Sequence, residues 1–536
     1  MTTLSLNKPL NEPILNIQTD DAHWAAFAHA VEQVPKDFTI PMVINGQNVK
    51  ADQTLINLDP STGRPIGKLY QAEASHAEAA IRAALEAKKG WAALSPYHRI
   101  QKFRDLEAVL VRWRNETCAT TGVECGFTAN ELSASWAEMI DFVRFNSWYY
   151  AEILSEKLGD GPLETNCYNM RPLKGFTCAV TPFNFPIAIG YNLPLVMALT
   201  GNTVVWKPSD DASLTSYMLM LALDEAGFPP GVINMITGFG KICLPTVLAH
   251  PELNCLNFTG SFETARALGS YFYSESYPRQ NFPRYVAETG GKDFLVADAD
   301  LDVEDTASCI VAGAFGRSGQ KCSANSVVFV NETVWPKLKD AVIEKTKALK
   351  MTVATRREAD LGPVVSQRAF DKVTAAIAKA RTTQDAKLLC GGNSSNKEGF
   401  YIEPTLFEVS DEKNFLLSYE IFGPVTAFKT YRNIEEVTRV MQNHNYRLTG
   451  AVISRNEEFL QKNIPLLSEY AGNLYVNRKT TGAVVDQQPF GGDGASGTNF
   501  KAGSKSYLIN FISPGTITRR HTRFKTPSPF EKIRSK

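Results

Sequence analysis

Cys322 and Glu288 are the two residues whose type and sequence neighbours best suit covalent chemistry. Cys322 follows a glycine-rich stretch, 316–319, and precedes an apolar run, while Glu288 is followed by Gly290 and Gly291. Glycine accepts backbone angles that other residues avoid and lets a ligand approach the chain closely. A thiol and a carboxylate, each presented on a strand-to-loop bend, predict a nucleophile that works with an acid/base partner.

A third candidate is Asn184, in the stretch Thr-Pro-Phe-Asn-Phe-Pro at 181–186. Two prolines fix the bend, and an amide N–H in a water-poor pocket can donate to a developing oxyanion. The alternative is a turn asparagine between two core phenylalanines. The motifs contain no histidine, which disfavours a cysteine–histidine hydrolase unless the partner is distant in sequence.

Two further segments suit a phosphate or ribose. Lys207 follows a short apolar run, and Gly260-Ser261 joins an apolar run to a helical pattern. Free N–H groups at a helix N-terminus bind phosphate readily, although the same residues also form ordinary helix caps. Neither segment carries a G-x-G-x-x-G fingerprint between its apolar run and the helical pattern, so the pyrophosphate loop of many other dehydrogenases is not supported here.

The elements that position these residues are predicted by alternating short apolar runs and helical patterns over 175–290 and again over 291–502. This alternation indicates β-α-β units and parallel sheets, which bind ligands at strand ends. Helical spacing predicts helices over 72–93, 97–120 and 129–158, and a strand-like piece covers 506–512.

Bulk properties exclude several classes. The 536 residues suggest two to four domains, and 56 basic residues balance 56 acidic ones, which argues against a nucleic-acid or membrane-surface binder. Nine cysteines without a C-x-x-C pair predict a reducing compartment, no disulfide framework and no zinc or other metal site. The start of the chain resembles neither a secretory signal nor a transit peptide, and no membrane span is expected, so we expect a cytoplasmic protein.

Six motifs occur in order: 182–186, 206–210, 258–261, 288–292, 319–322 and 420–424, reading PFNFP, WKPSD, FTGS, ETGGK, GQKC and EIFGP. Together they resemble the aldehyde dehydrogenase superfamily over about residues 40–515. The segments 141–146, 319–325, 481–492 and 495–499 are similar to its Δ1-pyrroline-5-carboxylate dehydrogenases. That resemblance implies NAD-dependent oxidation of L-glutamate γ-semialdehyde to L-glutamate in proline catabolism.

The resemblance also implies roles for individual residues. Cys322 attacks the aldehyde, the Asn184 amide and the Cys322 N–H hold the oxyanion, and Glu288 activates water to release the acid from a thioester. The implied NAD-binding residues are Lys207, Asp210, Gly260, Ser261, Glu420 and Phe422. The implied substrate-binding residues are Phe185, Ser323, Gly482, Ala483 and Phe490. Ala483 stands where the narrower family usually has serine, so one hydroxyl donor to the substrate carboxylate is missing.

The family fold implies two parallel-sheet α/β domains and a small β flap. The expected divisions are an N-terminal arm (1–40), an NAD-binding domain (41–159 and 175–290), a catalytic domain (291–502), an oligomerisation flap (160–174 and 503–518) and a basic tail (519–536). Unpaired edge strands seek a partner, so we expect a homodimer or larger homo-oligomer.

Three other functions stay open at this point. The enzyme could oxidise another aldehyde or ω-semialdehyde. Cys322 could serve a thioester hydrolase or acyltransferase without hydride transfer. A catalytically silent homologue is disfavoured, because Cys322, Glu288 and Asn184 occur together.

Overall fold

The computed structural model describes residues 6–274, 281–521 and 529–536. Two seven-stranded sheets flanked by helices account for most of the fold. The α-helices are Asp21–Glu32, Ala74–Ala93, Pro96–Arg112, Arg114–Cys125, Ala129–Ser155, Ala188–Leu199, Ser213–Glu225, Gly240–Ala249, Phe262–Phe272, Val303–Phe315, Trp335–Ala348, Gln367–Arg381, Ile434–Met441, Glu457–Ser468, Lys505–Leu508 and Pro529–Arg534. Short 3-10 helices cover Asp210–Ala212, Gly316–Gly319, Phe415–Leu417 and Ile509–Phe511.

The first sheet has five parallel strands and an antiparallel pair at one edge. In spatial order its strands are Arg284–Glu288, Leu253–Thr259, Phe176–Val180, Val204–Lys207, Ile233–Met235, Met42–Ile44 and Gln47–Val49. Central strands of this kind are buried on both faces and therefore read as continuous apolar runs. Val204–Lys207, for example, is buried at every position.

The second sheet is parallel except for one edge strand. In spatial order its strands are Ala386–Cys390, Thr405–Val409, Val425–Tyr431, Asn325–Asn331, Asp293–Ala297, Thr449–Ile453 and Asn473–Val476. The predicted fold class, two α/β regions built on largely parallel sheets, is therefore confirmed.

Four small sheets complete the described structure. One joins Phe38–Ile40, Arg64–Tyr70 and Thr54–Asp59, and three are pairs: Ser394–Ser395 with Tyr401–Ile402, Tyr446–Arg447 with Asp493–Gly494, and Glu164–Pro172 with Ile512–Arg520. The last pair is the flap, whose two strands run antiparallel over their full nine-residue length. Within the described residues, no helix is long and apolar enough to cross a membrane.

The segment just before the flap returns to the core of the first region. Tyr507, Leu508, Phe511 and Ile512 are buried there. Asn257, on a central strand of the first sheet, donates a 3.0 Å hydrogen bond to the Tyr507 hydroxyl. The last part of the chain thus completes a core that begins more than 400 residues earlier, at Ile17.

Several local predictions were wrong. The expected strand over 506–512 is the helix Lys505–Leu508 followed by a 3-10 turn, and only Ile512 begins a strand. Its buried residues, 507, 508, 511 and 512, have helical rather than alternating spacing. The helix expected over 97–120 is two helices, because the backbone leaves helical geometry at Trp113.

The predicted arm and the predicted tail both contain regular secondary structure. The arm contains the helix Asp21–Glu32, in which Phe27 is fully buried, and the flap strand extends into the predicted tail as far as Arg520. Residues 1–5 of the predicted arm and 522–528 of the predicted tail lie outside the described residues. The strand Thr405–Val409 was not predicted.

Candidate active site

One cavity of about 410 Å³ brings together seven of the fourteen predicted site residues. Its walls come from loops that follow strands of the first sheet and from loops of the second region. The predicted residues that line it are Asn184, Lys207, Gly260, Ser261, Cys322, Glu420 and Phe422. Its volume lies in the usual range for a small-molecule site.

The loop that carries Cys322, residues 316–325, is called the nucleophile loop below. Arg317, Ser318 and Gly319 have φ angles of 54°, 53° and 69°, so three consecutive residues are left-handed. Only glycine fits at Gly319, where a Cβ would lie 2.1 Å from the Gly423 carbonyl oxygen. Non-glycine residues in this region are strained by about 1–3 kcal/mol each, and such strain clusters at functional sites.

Cys322 lies before a strand rather than after one. The helix Val303–Phe315 leads into the nucleophile loop, and the strand Asn325–Asn331 follows. The strand-to-loop bend expected for the thiol was therefore wrong, whereas Glu288 does end a strand. The turn after Glu288 packs on the nucleophile loop, since a Cβ on Gly291 would lie 2.5 Å from the Cys322 carbonyl oxygen. The Glu288 carboxylate is close enough to Cys322 to raise the pKa of its thiol.

Burial and nearby carboxylates both favour the protonated form of the Cys322 thiol by raising its pKa. Burial raises the pKa of the Cys322 thiol well above its usual range, and the carboxylates of Asp293, Glu420 and Glu288 raise this pKa further. A thiolate is the reactive form. The attack on a carbonyl therefore requires a base that accepts the proton.

Glu288 is suited to that task. Both of its carboxylate oxygens are shielded from solvent, and neither accepts a hydrogen bond of normal geometry from the described residues. Burial raises the pKa of Glu288 well above its usual range, and Lys501 and the Gly492 N–H offset only part of this effect. A carboxylate with a raised pKa is a stronger base near neutral pH than an exposed one.

Asn184 is a buried residue of the same cavity wall. It is 5% exposed, and its residue lines the cavity together with Cys322. Its backbone carbonyl accepts a hydrogen bond from the Arg317 guanidinium. An amide held in a water-poor wall can donate to an oxyanion without reorganising.

A second cavity of about 900 Å³ adjoins the first through Lys207 and Ser209. Lys207 is 6% exposed and forms a 2.7 Å ion pair with Asp210, so both predicted residues meet here. Ser261 caps the helix Phe262–Phe272 by accepting a hydrogen bond from the Thr264 N–H at 3.2 Å. Lysine, carboxylate and helix N-terminus together form a donor and acceptor set for a phosphorylated ribose.

Glu420 and Phe422 line the smaller cavity together with Cys322. Glu420 accepts a 3.0 Å hydrogen bond from the Gly291 N–H, and a Cβ on Gly290 would lie 2.1 Å from its carboxylate oxygens. Burial raises the pKa of Glu420 to about 7. Phe422 has a φ of 60° and meets the Phe183 ring edge-on at 6.0 Å.

Known proteins resemble this chain both in sequence and in fold. The sequence model of the aldehyde dehydrogenase family matches residues 48–517. The chain belongs to the aldehyde dehydrogenase family. It is 36% identical to a 1-pyrroline-5-carboxylate dehydrogenase of Geobacillus sp. (strain WCH70) over 523 residues, which cover 95% of this chain and 98% of the relative.

Two solved structures give the same result. The Δ-pyrroline-5-carboxylate dehydrogenase from Mycobacterium tuberculosis bound with NAD is 34% identical, with a TM-score of 0.93 and 99% of each chain covered. A 1-pyrroline-5-carboxylate dehydrogenase from Thermus with bound NAD is 32% identical, with a TM-score of 0.91, covering 96% of this chain and all of the other. The predicted family resemblance is confirmed.

The residues present in this aldehyde dehydrogenase fit a dinucleotide. Lys207 and Asp210 supply charge in the larger cavity, which Thr264 in the first turn of the helix also lines. Ser261, which caps that helix, and Glu420 line the smaller cavity. Only glycine fits at Gly290, because a Cβ there would overlap the Glu420 carboxylate. The site therefore has separate places for the two halves of such a molecule.

The residues predicted to bind the substrate are more scattered. Among the residues that the structure describes, Phe185, Ser323, Gly482, Ala483 and Phe490 lie outside the lining of the smaller cavity. Ser323 is nonetheless tied to the loop of Gly482, because the Thr480 hydroxyl donates to the Ser323 carbonyl at 2.8 Å. Gly482 has a φ of 86°.

The loop 481–488, called the anchor loop below, is held by the N-terminal arm. Asn11 donates to the Asp141 carboxylate at 2.9 Å and to the Val485 carbonyl at 3.0 Å, and Lys8 pairs with Asp486 at 2.6 Å. The arm was predicted only as a terminal segment, without a contact to this loop. These two hydrogen bonds join residues that are 130 and 474 positions apart in the sequence, and no local pattern reveals such pairings.

Other charged groups near the sulfur were missed as well. Burial raises the pKa of Glu138 to about 7 and lowers that of Lys321 to about 8. Buried groups with perturbed pKa values cluster at functional sites. Lys321 adjoins Cys322 in sequence, which was the one available signal, whereas Glu138 is on the long helix Ala129–Ser155 and gave none.

Proposed function

We propose that the chain oxidises L-glutamate γ-semialdehyde, formed from Δ1-pyrroline-5-carboxylate, to L-glutamate with NAD, as its relatives' names indicate. The observation that carries the proposal is that Cys322 and Asn184 line the same cavity as Lys207, Ser261 and Glu420. The proposed nucleophile and oxyanion donor therefore line the same cavity as the proposed cofactor-binding residues. This juxtaposition suits an aldehyde dehydrogenase better than a cysteine hydrolase, which needs no such space.

In this proposal Cys322 attacks the aldehyde carbon while Glu288 accepts the thiol proton. The resulting oxyanion is held by the Asn184 amide and the Cys322 N–H. One such donor is worth about 3–4 kcal/mol of transition-state stabilisation. NAD, held by Lys207, Asp210, Gly260, Ser261, Glu420 and Phe422, supplies the hydride acceptor.

Glu288 has a second role after oxidation. The acyl group remains on the Cys322 sulfur as a thioester, and a water molecule must attack it. Once Glu288 has passed the thiol proton to solvent, its shielded carboxylate can take the proton of that water, since burial has raised its pKa. The C–S bond then breaks, which releases the acid and frees the Cys322 sulfur. Covalent capture thus divides one difficult oxidation into two easier steps.

The proposed carboxylate site of the substrate is the anchor loop. Gly482 and Ala483 would offer backbone N–H groups, with Phe185 and Phe490 beside the aliphatic chain and Ser323 beside the nucleophile. The Gly482 carbonyl accepts a hydrogen bond from Arg478 at 2.5 Å, which holds this part of the loop. Ala483 supplies no hydroxyl, so the loop would bind the carboxylate through its backbone.

The flap supports a homodimer or larger homo-oligomer. It is a two-stranded ribbon in this chain, and such ribbons are marginal alone. Leu163 and Ile517 are exposed on it, by 50% and 46%. Light scattering on purified protein tests this assembly.

The nine cysteines are free, which supports a reducing compartment such as the cytoplasm.

Steady-state kinetics tests the substrate proposal. The initial rate of NADH formation is measured with L-glutamate γ-semialdehyde, with a semialdehyde one carbon longer, and with propanal. We expect the highest kcat/KM for L-glutamate γ-semialdehyde. A preference for propanal would contradict the carboxylate site, and acyl transfer without NADH formation would contradict the dehydrogenase itself.

A further inference from the structure

Arg317 is a buried cation with two aromatic neighbours. It is 3% exposed, and its guanidinium carbon lies 3.8 Å from the centre of the Phe185 ring and 4.6 Å from that of Phe127. A cation is attracted to the face of an aromatic ring, and the planar guanidinium stacks where an ammonium cannot. The side chain is therefore held in one orientation.

Its hydrogen bonds join three segments that are distant in sequence. One guanidinium nitrogen donates to the Asn184 carbonyl, and another donates to the Glu131 carbonyl at 3.3 Å. The Arg317 backbone N–H donates to the Glu131 carboxylate. Glu131 is itself fixed, since it accepts from the Thr128 N–H at 3.0 Å in the capping box of the long helix.

The nucleophile loop needs such support. Arg317 begins its left-handed stretch, and strained residues persist only where the surroundings over-determine them. The loop is also tied at Ser318, whose hydroxyl donates to the Gly362 carbonyl at 2.6 Å, and at Gln320, whose side chain accepts from the Val365 N–H at 3.0 Å. Neither of these two contacts involves Asn184, whereas the Arg317 contact does.

We propose that Arg317 is a positioning residue that fixes the Asn184 peptide against the nucleophile loop. The amide donor and the Cys322 sulfur then keep one spacing while the thiohemiacetal forms and the carbonyl oxygen gains charge. The idea rests on the proposed role of Asn184. Misplacing a reacting group by about 1 Å can cost roughly 100-fold in rate, so a residue that only holds the donor can matter.

The test measures the pre-steady-state burst of NADH with L-glutamate γ-semialdehyde and NAD in Arg317→Lys, Asn184→Ala and the double variant. Arg317→Lys keeps the charge but loses the second hydrogen bond and the stacking. We expect it to slow the burst about tenfold, and Asn184→Ala to slow it about 100- to 1000-fold. The affinity for NAD should stay within about twofold of wild type in Arg317→Lys.

The double variant separates positioning from general packing. If Arg317 acts through Asn184, the double variant is no slower than Asn184→Ala alone, because residues that act as one unit are not additive. Multiplied effects, or a wild-type burst in Arg317→Lys, would overturn the proposal. A wild-type enzyme that forms no NADH from this substrate would instead overturn the proposed function.

Arg114→Ala is the matched control. The Arg114 guanidinium carbon lies 4.4 Å from the Trp136 ring centre, and Arg114 donates to the Ser133 hydroxyl at 2.9 Å. It thus resembles Arg317 in stacking but does not contact Asn184 in the described structure. We expect a lower melting temperature and an unchanged burst. If this variant slows the burst as much as Arg317→Lys does, the effect is one of packing and the proposal is wrong.

Discussion

The cofactor side and the substrate side of the cavity are built in different ways. On the cofactor side, Lys207 and Gly260 come at the ends of two first-sheet strands that flank a third. On the substrate side, the anchor loop depends on side chains from the arm and from the long helix, such as Asn11 and Asp141. The cofactor side is formed by the carboxyl ends of sheet strands, and the substrate side is held by separate polar contacts.

This difference predicts unequal tolerance to change. The carboxyl ends of sheet strands move only if many backbone hydrogen bonds and a buried core are disrupted together. A single side-chain hydrogen bond contributes about 1 kcal/mol. Substitutions on the substrate side should therefore change selectivity without unfolding the protein, whereas the cofactor side should lose binding only when a charged contact is removed.

The largest effect is expected where the two sides meet. Cys322→Ala removes the sulfur and should lower kcat by at least about 10⁴-fold, since loss of a nucleophile can cost roughly 10⁶-fold. The affinity for NAD, measured by calorimetry, should remain near that of wild type. Normal turnover in this variant would refute covalent catalysis.

Glu288→Gln should separate acylation from hydrolysis. Loss of a general base costs about 10²- to 10⁴-fold, so steady-state NADH formation falls by that factor. Glu288 works as a base only when deprotonated, and burial raises its pKa. The wild-type rate of thioester hydrolysis should therefore rise with pH as this carboxyl ionises, and the rise should be absent in Glu288→Gln. A retained rise would assign the base elsewhere.

Lys207→Met tests the cofactor side alone. A charged hydrogen bond is worth about 1.5–3 kcal/mol, so the Kd for NAD should increase roughly 10- to 100-fold. The KM for the semialdehyde at saturating NAD should not change. If both constants change together, the two sides are coupled and the contrast between them fails.

Asn11→Ala tests the substrate side alone and should have the smallest effect. Loss of its contacts to Asp141 and Val485 should raise the KM for L-glutamate γ-semialdehyde about three- to tenfold, from about 1 kcal/mol. The KM for propanal and the Kd for NAD should stay the same. Gln18→Ala is the control, because Gln18 binds the carbonyls of Arg357 and Ala359 instead. An equal effect in both variants would indicate general loosening of the arm.

The cofactor side could be predicted because its signals are local. An apolar run, a polar strand end and a helix start identify Lys207, Gly260 and Ser261 from their immediate neighbours, and the structure places all three in one cavity wall. The two largely parallel sheets followed from the same alternation. Cys322 and Glu288 were found through the glycines beside them, whose space the packing does require at Gly290, Gly291 and Gly319.

The substrate side could not be predicted in the same way. Asn11 and Arg317 gain their roles from residues more than 100 positions away, and each alone reads as an ordinary polar residue. The segment 506–512 was misassigned because a one-turn helix is too short for periodicity to distinguish from a strand. Chemistry near glycine is readable from sequence, whereas support from distant side chains is not.

The return of residues 507–512 to the core of the first region has a consequence for synthesis of the protein. During translation the first sheet emerges early, but Asn257 and its neighbours lack their packing partners until Tyr507, Leu508 and Phe511 have left the ribosome. Contacts of such long separation slow folding and leave apolar surface exposed meanwhile. A nascent chain stopped shortly before residue 507 should therefore depend on chaperones far more than the finished enzyme.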